Sequence, residues 1–141
     1  MVHVAFRVLI VEDEPLLGME LEENVVSAGH EVVGWATGRV SAMALAEARS
    51  PDFAFVDLHL RDGETGSEIA QRLAERGVAV VIATANPDEV EVDDVGHVLG
   101  IVNKPYSPET IRAVLRYAVE KLERSDAEPA EPPGFRAPQG V

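Results

Sequence analysis

The sequence contains no cysteine, and this absence excludes disulfide bonds and thiol chemistry. Basic residues are also scarce, with 12 lysines and arginines against 25 aspartates and glutamates, so the net charge is −13. Such acidity argues against direct binding to nucleic acid, which requires a basic surface. The apolar runs are far shorter than the ~18 residues of a membrane span, and the first residues lack the layout of a secretory signal. We therefore expect a cytoplasmic protein that binds neither nucleic acid nor membrane.

The chain instead contains a regular alternation of apolar runs and amphipathic segments. Its 141 residues, 46% of them apolar, suit one domain with a proper core. Five short apolar runs predict strands at residues 6–11, 31–36, 53–57, 78–84 and 98–102. Helical spacing follows the first three runs and the fifth. This α/β pattern predicts a flavodoxin-like, doubly wound, five-stranded parallel sheet of order 2-1-3-4-5.

Two regions depart from this alternation. Between the fourth and fifth strands, residues 86–97 combine clustered acids with valines, so we expect a weak or irregular fourth helix there. From residue 124 onward the sequence is rich in proline and glutamate and has too few apolar residues to offset the entropy of ordering. The sequence therefore predicts one domain over residues 1–123, followed by a disordered tail over residues 124–141.

Polar residues follow the predicted strands at the edge where parallel strands end together. Glu12 and Asp13 follow the first strand and Asp57 ends the third, and three close carboxylates require a cation. Oxygen ligands of this kind suit Mg²⁺. Thr84 adds a hydroxyl at the end of strand four, and Lys104 adds a positive charge after strand five. The set suits phosphoryl transfer with Asp57 as the nucleophile.

These residues lie in motifs that resemble a known family. The segments Val8–Glu14, Val56–Leu58, Ala83–Ala85 and Lys104–Pro105 are similar to the receiver domain of bacterial two-component response regulators. The resemblance covers about residues 6–123. Each motif is weak in isolation, but four of them in order at strand ends are a strong signal. The resemblance implies that the protein is not a conventional enzyme, because it would catalyse only its own phosphorylation and dephosphorylation.

The resemblance also implies a role for each matching residue. Asp57 would accept a phosphoryl group from a sensor histidine kinase or a phosphotransfer protein. Magnesium would be bound directly by Asp13, by Asp57 and by the backbone carbonyl of His59, and through water by Glu12. The remaining implied residues contact the phosphoryl group or tune its lifetime: Thr84, Ala85 and Lys104 at the group itself, and the His59 side chain, Asn86, Ile101 and Pro105 as tuning positions. The bond from Lys104 to Pro105 would be cis.

Several positions depart from the family pattern. The family has an aromatic switch residue where this chain has Ile101, and Tyr106 is not its equivalent. We therefore expect phosphorylation to act mainly by ordering residues 86–97. Arg61 replaces a common proline, and the loop from Asp57 to Gly66 is one residue longer than the family pattern. The aliphatic switch position and weak fourth helix are similar to the single-domain "FAT GUY" regulators that pair with HWE-type histidine kinases.

Three functions remain open at this point. The first is a stand-alone phospho-receiver that signals through contacts with an unknown downstream protein. The second is a pseudo-receiver, a scaffold that acts without phosphorylation. A flavodoxin-like protein or aspartate-nucleophile hydrolase is disfavoured, because Asp57 lacks an Asp-x-Asp motif and no phosphate-binding glycine loop follows strand one. Trp35 is interpreted as a packing residue.

Overall fold

A computed structural model of the protein describes residues 5–60, 62–63, 65–86, 98–124 and 128–138. This part of the chain forms four helices and six strands, in the order β1 (Arg7–Val11), α1 (Pro15–Ser27), β2 (Glu31–Ala36), α2 (Arg39–Arg49), β3 (Phe53–Asp57), α3 (Gly66–Glu75), β4 (Ala79–Thr84), β5 (Gly100–Asn103), α4 (Pro108–Glu123) and β6 (Phe135–Arg136). None of the helices described is long and apolar enough to cross a membrane.

The strands form one sheet in the order β2-β1-β3-β4-β5-β6. The first five pair in parallel, so the predicted flavodoxin-like order 2-1-3-4-5 is confirmed. The predicted strand count of five is wrong, because β6 adds an antiparallel strand beside β5. The fifth strand is also shorter than predicted and runs to Asn103. The predicted weak fourth helix and the ordering of residues 86–97 fall, apart from Asn86, outside the described residues.

The sixth strand comes from the segment that the sequence predicts to be disordered. Within residues 128–138, Phe135 and Arg136 instead pair with the sheet, and Phe135 is buried. The composition of this segment is dominated by proline and glutamate, but its single aromatic side chain supplies the apolar area that holds it in place. The prediction of a tail that is disordered throughout is therefore wrong for these residues. The domain boundary at residue 123 stays a prediction.

Two apolar layers cover the sheet. Helices α2 and α3 pack on one face, where Ala46 and Ile69 are buried against β1, β3 and β4. Helices α1 and α4 pack on the other face, where Leu21 and Leu115 are buried. All five residues of β3 are buried, as expected for the central strand of a sheet covered on both sides. Side chains along such a strand do not reach solvent. Ligands of parallel sheets bind at the carboxyl ends of the strands, so the residues of β3 placed for chemistry are Asp57 and the loop after it.

Candidate functional site

The sheet register brings the predicted polar residues to one edge. In the pairing of neighbouring strands, Val11 lies beside Val56, Asp57 beside Ala83, and Thr84 beside Asn103. Every one of these pairs is at or next to the carboxyl end of its strand. The residues that follow immediately, including Lys104, therefore meet above the end of β3.

Lys104 connects two of the carboxylates. Its Nζ lies 3.1 Å from Oε1 of Glu12 and 3.1 Å from Oδ2 of Asp57, so one ammonium group donates to both. The lysine backbone is fixed as well, because its N–H donates to the carbonyl of Thr84 at 2.8 Å. The bond between Lys104 and Pro105 is cis, as the resemblance implied. Pro105 itself is exposed.

Burial shapes the charge state of these groups. Glu12 is only 2% exposed, and this burial, together with the hydrogen bond and charge of Asp57, raises the Glu12 pKa to about 7 against the opposing effect of Lys104. Burial lowers the Lys104 pKa, but the negative charges of Asp57 and Glu12 outweigh it and leave that pKa above its usual value. Two carboxylates thus share a single cation in a poorly solvated site.

The acidic site (Glu12, Asp13 and Asp57) has the chemistry of a cation site. One carboxylate oxygen from each of the three residues lies within 4.8 Å of the others. Asp57 is also held from its other side, because its Oδ1 accepts the backbone N–H of His59 at 3.2 Å. Carboxylate oxygens grouped in this way fit a hard divalent ion such as Mg²⁺. The His59 residue is exposed at the rim of this site.

Trp35 supports the acidic site from β2. Its indole Nε1–H donates to the backbone carbonyl of Glu12 at 2.7 Å. The ring lies against Gly18 of α1, where even a Cβ atom would overlap it. The Glu12 carboxylate is then oriented by the backbone N–H of Asp13, which donates to Oε2 at 3.0 Å. Trp35 therefore positions Glu12, a role that the interpretation as a packing residue missed.

The remaining predicted residues fall into two groups. Thr84 is buried, its Oγ1 accepts the backbone N–H of Asn86 at 3.1 Å, and Ala85 and Asn86 are exposed beside it. Ile101 does not join the site, because its side chain is 1% exposed in the layer under α2 and α3. An aliphatic side chain buried in this way has no exposed surface to present to a partner.

Tyr106 is an additional residue near the site, and the sequence predicted no role for it because it is not the equivalent of the aromatic switch residue. Burial and the charges of Glu12 and Asp57 raise its pKa, so the phenol stays neutral at physiological pH. The ring packs with the layer of α1 and α4. The signal that could have identified it is its position immediately after the Lys104–Pro105 pair.

The loop that follows Asp57 is tied to helix α2. Oδ2 of Asp62 accepts the backbone N–H of Arg39 at 2.9 Å, and Oδ1 accepts the Thr65 hydroxyl at 2.6 Å. These bonds lower the Asp62 pKa, with the Thr65 hydroxyl the larger cause. At the other end of the loop Gly66 packs on the backbone of Asp57 so closely that a Cβ would overlap its carbonyl oxygen. Arg61, the predicted departure in this loop, lies outside the described residues.

Comparison with known proteins agrees with this arrangement. The phyllosphere-induced regulator PhyR of Methylorubrum extorquens is 33% identical over 118 residues, which cover 82% of this chain and 44% of that protein. The transcriptional regulatory protein PdtaR of Mycobacterium tuberculosis is 37% identical over 121 residues, which cover 82% of this chain and 58% of that protein. The crystal structure of the anti-anti-sigma factor PhyR from Bartonella quintana matches with a TM-score of 0.77 and 30% identity, over 87% of this chain and 51% of that one.

The chain thus spans about half the length of the curated relatives it matches. The match to the family model described as the response regulator receiver domain covers residues 8–116, which include the acidic site, Thr84 and Lys104. This range also contains β2 to β5 and all of β1 except Arg7, the strands at whose carboxyl ends those residues lie. The chain belongs to the receiver domain family of response regulators, which are signalling proteins.

Proposed function

We propose that the protein accepts a phosphoryl group on Asp57 from the phosphohistidine of a sensor histidine kinase or a phosphotransfer protein. The observation that carries this proposal is the position of Lys104 Nζ, 3.1 Å from carboxylate oxygens of both Glu12 and Asp57. A cation held beside a buried carboxylate at the end of the central strand is suited to stabilise the charge of an incoming phosphoryl group.

In the proposed reaction Asp57 is the nucleophile. One carboxylate oxygen attacks phosphorus, a P–O bond forms, the P–N bond to the donor histidine breaks, and the imidazole leaves with the electron pair. Oδ1 is occupied by the N–H of His59 and Oδ2 by the Lys104 ammonium. After transfer, the Lys104 ammonium would donate to the phosphoryl oxygens, and the Thr84 hydroxyl would be a second donor to them. The small side chain of Ala85 leaves room beside them.

The cofactor in this proposal is Mg²⁺. Its protein ligands would be Asp13, Asp57 and the backbone carbonyl of His59, with Glu12 acting through water. The grouping of three carboxylates within 4.8 Å supports this assignment. When bound, the ion would neutralise carboxylate and phosphoryl charge and so permit the approach of two anions. The hydrogen bond from Trp35 to the backbone carbonyl of Glu12 would hold the Glu12 backbone in place, and so keep the Glu12 carboxylate near the ion.

Phosphorylation of the purified chain tests the proposal. Incubation with acetyl phosphate and Mg²⁺ should add one phosphoryl mass, detected by mass spectrometry of the intact protein. Asp57→Asn should abolish the adduct because the nucleophilic oxygen is replaced by an amide nitrogen. Asp52→Asn is the matched control, since Asp52 lies near the opposite end of β3, and it should retain the adduct. An equal adduct on Asp57→Asn would contradict Asp57 as the acceptor, and an unmodified wild type would contradict the proposal and favour a pseudo-receiver scaffold.

The output of the protein in this proposal is a protein–protein contact in the cytoplasm. The Bartonella relative is named an anti-anti-sigma factor, and this chain matches about half of it. We extend to this chain only the general mode, in which the phosphorylated receiver binds a downstream protein. The pairing with an HWE-type kinase, implied by the resemblance to "FAT GUY" regulators, belongs to the same proposal.

Trp35→Phe should weaken Mg²⁺ binding by roughly three- to tenfold, the effect of losing one hydrogen bond of about 1 kcal/mol while the aromatic packing is kept. Isothermal calorimetry measures the affinity directly. In the wild type, the fluorescence of the single tryptophan should also change during the titration, because its N–H contacts a residue of the acidic site. An unaltered affinity in Trp35→Phe would show that the Glu12 backbone needs no support from the indole.

A further inference from the structure

Residues 128–138, here called the strap, cover an edge that the parallel sheet would otherwise leave open. Phe135 and Arg136 pair with Val102 and Ile101 of β5 in antiparallel register. The N–H of Asn103 donates to the carbonyl of Gly134 at 2.8 Å. An open edge strand presents unpaired backbone groups that readily accept another strand. The strap fills these positions and is therefore the occupant of a strand-binding edge.

The edge also has a slot for an aromatic ring. The ideal Cβ position of Gly100 meets the Phe135 ring and the Arg136 carbonyl, and its three nearest heavy atoms all belong to the strap. On the far side the ring packs on Tyr117 of α4, with centroids 4.9 Å apart and planes at 59°. Both aromatic residues are nearly buried, Phe135 at 5% and Tyr117 at 6% exposure. The absence of a side chain at Gly100 thus creates the space that Phe135 occupies.

The strap pairs with the sheet over only a short stretch. Only two of its residues have strand geometry, and it turns back through Gly134, whose φ is +78°. The turn is closed by two further bonds, from the N–H of Phe135 to the Pro132 carbonyl at 3.0 Å and from the N–H of Ala137 to Glu131 Oε1 at 3.1 Å. A cavity of about 560 Å³ remains between the strap and α4, bordered by Val98 and Tyr117. Edge elements with so short a paired stretch can open locally without unfolding the domain.

We propose that the β5 edge with its Gly100 slot is a binding site for an extended segment of a signalling partner that carries an aromatic side chain, and that the strap is its exchangeable intramolecular occupant. Main-chain pairing would supply affinity and the ring in the slot would supply specificity, as in other cases of strand addition. We infer the chemistry of the partner from the strap, because the site already accepts its extended backbone and its phenylalanine ring.

The site lies next to the phosphoryl chemistry. The three β5 residues that pair with the strap, Ile101 to Asn103, lead directly into Lys104. If the strap binds one position of β5 better than another, its binding would also shift the position of Lys104. By the same coupling, a change at Lys104 would alter the affinity of β5 for a partner that replaces the strap. This link to signalling rests on the proposed function, whereas strand exchange at the edge does not.

Two variants of the full chain test the strap and the Gly100 slot independently. Phe135→Ala removes the ring from the strap, and Gly100→Ala fills the slot from the side of the sheet. Leu122→Ala is the matched control, because it truncates an apolar side chain that is 50% exposed on α4. Hydrogen exchange should show the Asn103 amide exchanging at least about tenfold faster in both variants but not in the control. Retained protection of the β3 amides establishes that the domain is folded, and Phe135→Leu replaces Phe135→Ala if it does not fold.

A fluorescein-labelled peptide with the sequence of residues 128–138 is the binding probe. It should bind Phe135→Ala at least about tenfold more tightly than the wild type, whose own strap competes intramolecularly. It should not bind Gly100→Ala, and a peptide with alanine in place of phenylalanine should not bind any form. Equal binding to Phe135→Ala and Gly100→Ala, no binding to Phe135→Ala, or an unchanged Asn103 exchange rate would overturn the proposal.

Two controls complete the experiment. A wild-type dimer that dissociates in Phe135→Ala, seen by sedimentation, would assign the edge to a second copy of this chain and overturn the assignment to another protein. All measurements are made without Mg²⁺ or a phosphodonor, and phosphorylation of the same variants is followed separately by mass. Failure of the strap proposal is therefore distinguishable from failure of phosphorylation at Asp57.

Discussion

Lys104→Met is expected to destabilise the metal-free protein by about 3 kcal/mol at pH 8, because a broken buried ion pair leaves charge without a partner. In the wild type the ammonium serves both Glu12 and Asp57, whose side chains are only 3% and 10% exposed. Removal of the lysine leaves two poorly hydrated carboxylates that repel each other. The loss should be smaller at pH 6, where Glu12 can take up a proton, since its pKa is already raised to about 7.

Addition of Mg²⁺ should recover most of that loss. A ligand present at about 100 times its dissociation constant adds about 2.7 kcal/mol of stability when it binds only the folded state. Urea unfolding followed by circular dichroism, with and without Mg²⁺, measures both effects. Lys121→Met is the control, because this lysine of α4 borders the strap cavity rather than the acidic site and should cost no more than about 1 kcal/mol. Equal stability of Lys104→Met and wild type in metal-free buffer at pH 8 would contradict the assigned role of the lysine.

The metal-free wild type is expected to lose stability relative to Glu12→Gln as the pH rises from about 5 to 8. The folded-state pKa of Glu12, about 7, lies above its usual value of 4.5. Between these values the folded state binds more protons than the unfolded state, so the stability that Glu12 contributes is present at low pH and is lost as the pH rises through 7. A rise of this size in the Glu12 pKa corresponds to about 3 kcal/mol in the free energy of unfolding.

The measurement is the difference in free energy of unfolding between wild type and Glu12→Gln, taken in EDTA across this pH range. The two should be similar near pH 5, where both carry a neutral side chain at position 12, and Glu12→Gln should be more stable at pH 8. Saturating Mg²⁺ should remove or reverse this difference, because the ion favours the ionised carboxylate. A difference that stays constant with pH in EDTA would mean that Glu12 is ionised at little cost.

The parallel sheet could be predicted from the sequence because its central strands are buried on both faces. Such strands are continuous apolar runs, as at residues 53–56 and 78–83, and this signal is local. The meeting of Asp57 with Lys104 could also be expected, since parallel strands of known order end at one edge. Only the order of strands and the position of each residue at its strand end were needed.

Other features depend on contacts that leave no local pattern. Phe135 is one aromatic residue in a proline-rich segment, and its burial depends on Gly100 having no side chain. Trp35 acts on Glu12 through its indole N–H across 23 positions of sequence, which an apolar pattern cannot reveal. Composition and periodicity describe what a segment resembles on average. They do not identify a single side chain that fits a single gap.

The bonds of Asp62 to Arg39 and Thr65 fix the loop beside Asp57 to the first turn of α2. Closely spaced anchors of this kind set a limit on how the loop can diversify in length among related proteins. An insertion between Asp57 and Asp62 would move the carboxylate away from the α2 backbone, whereas one placed beyond Thr65 would collide with the close packing at Gly66. Variation in this part of the molecule is therefore expected to change exposed side chains more often than the number of residues, which in this chain exceeds the family pattern by only one.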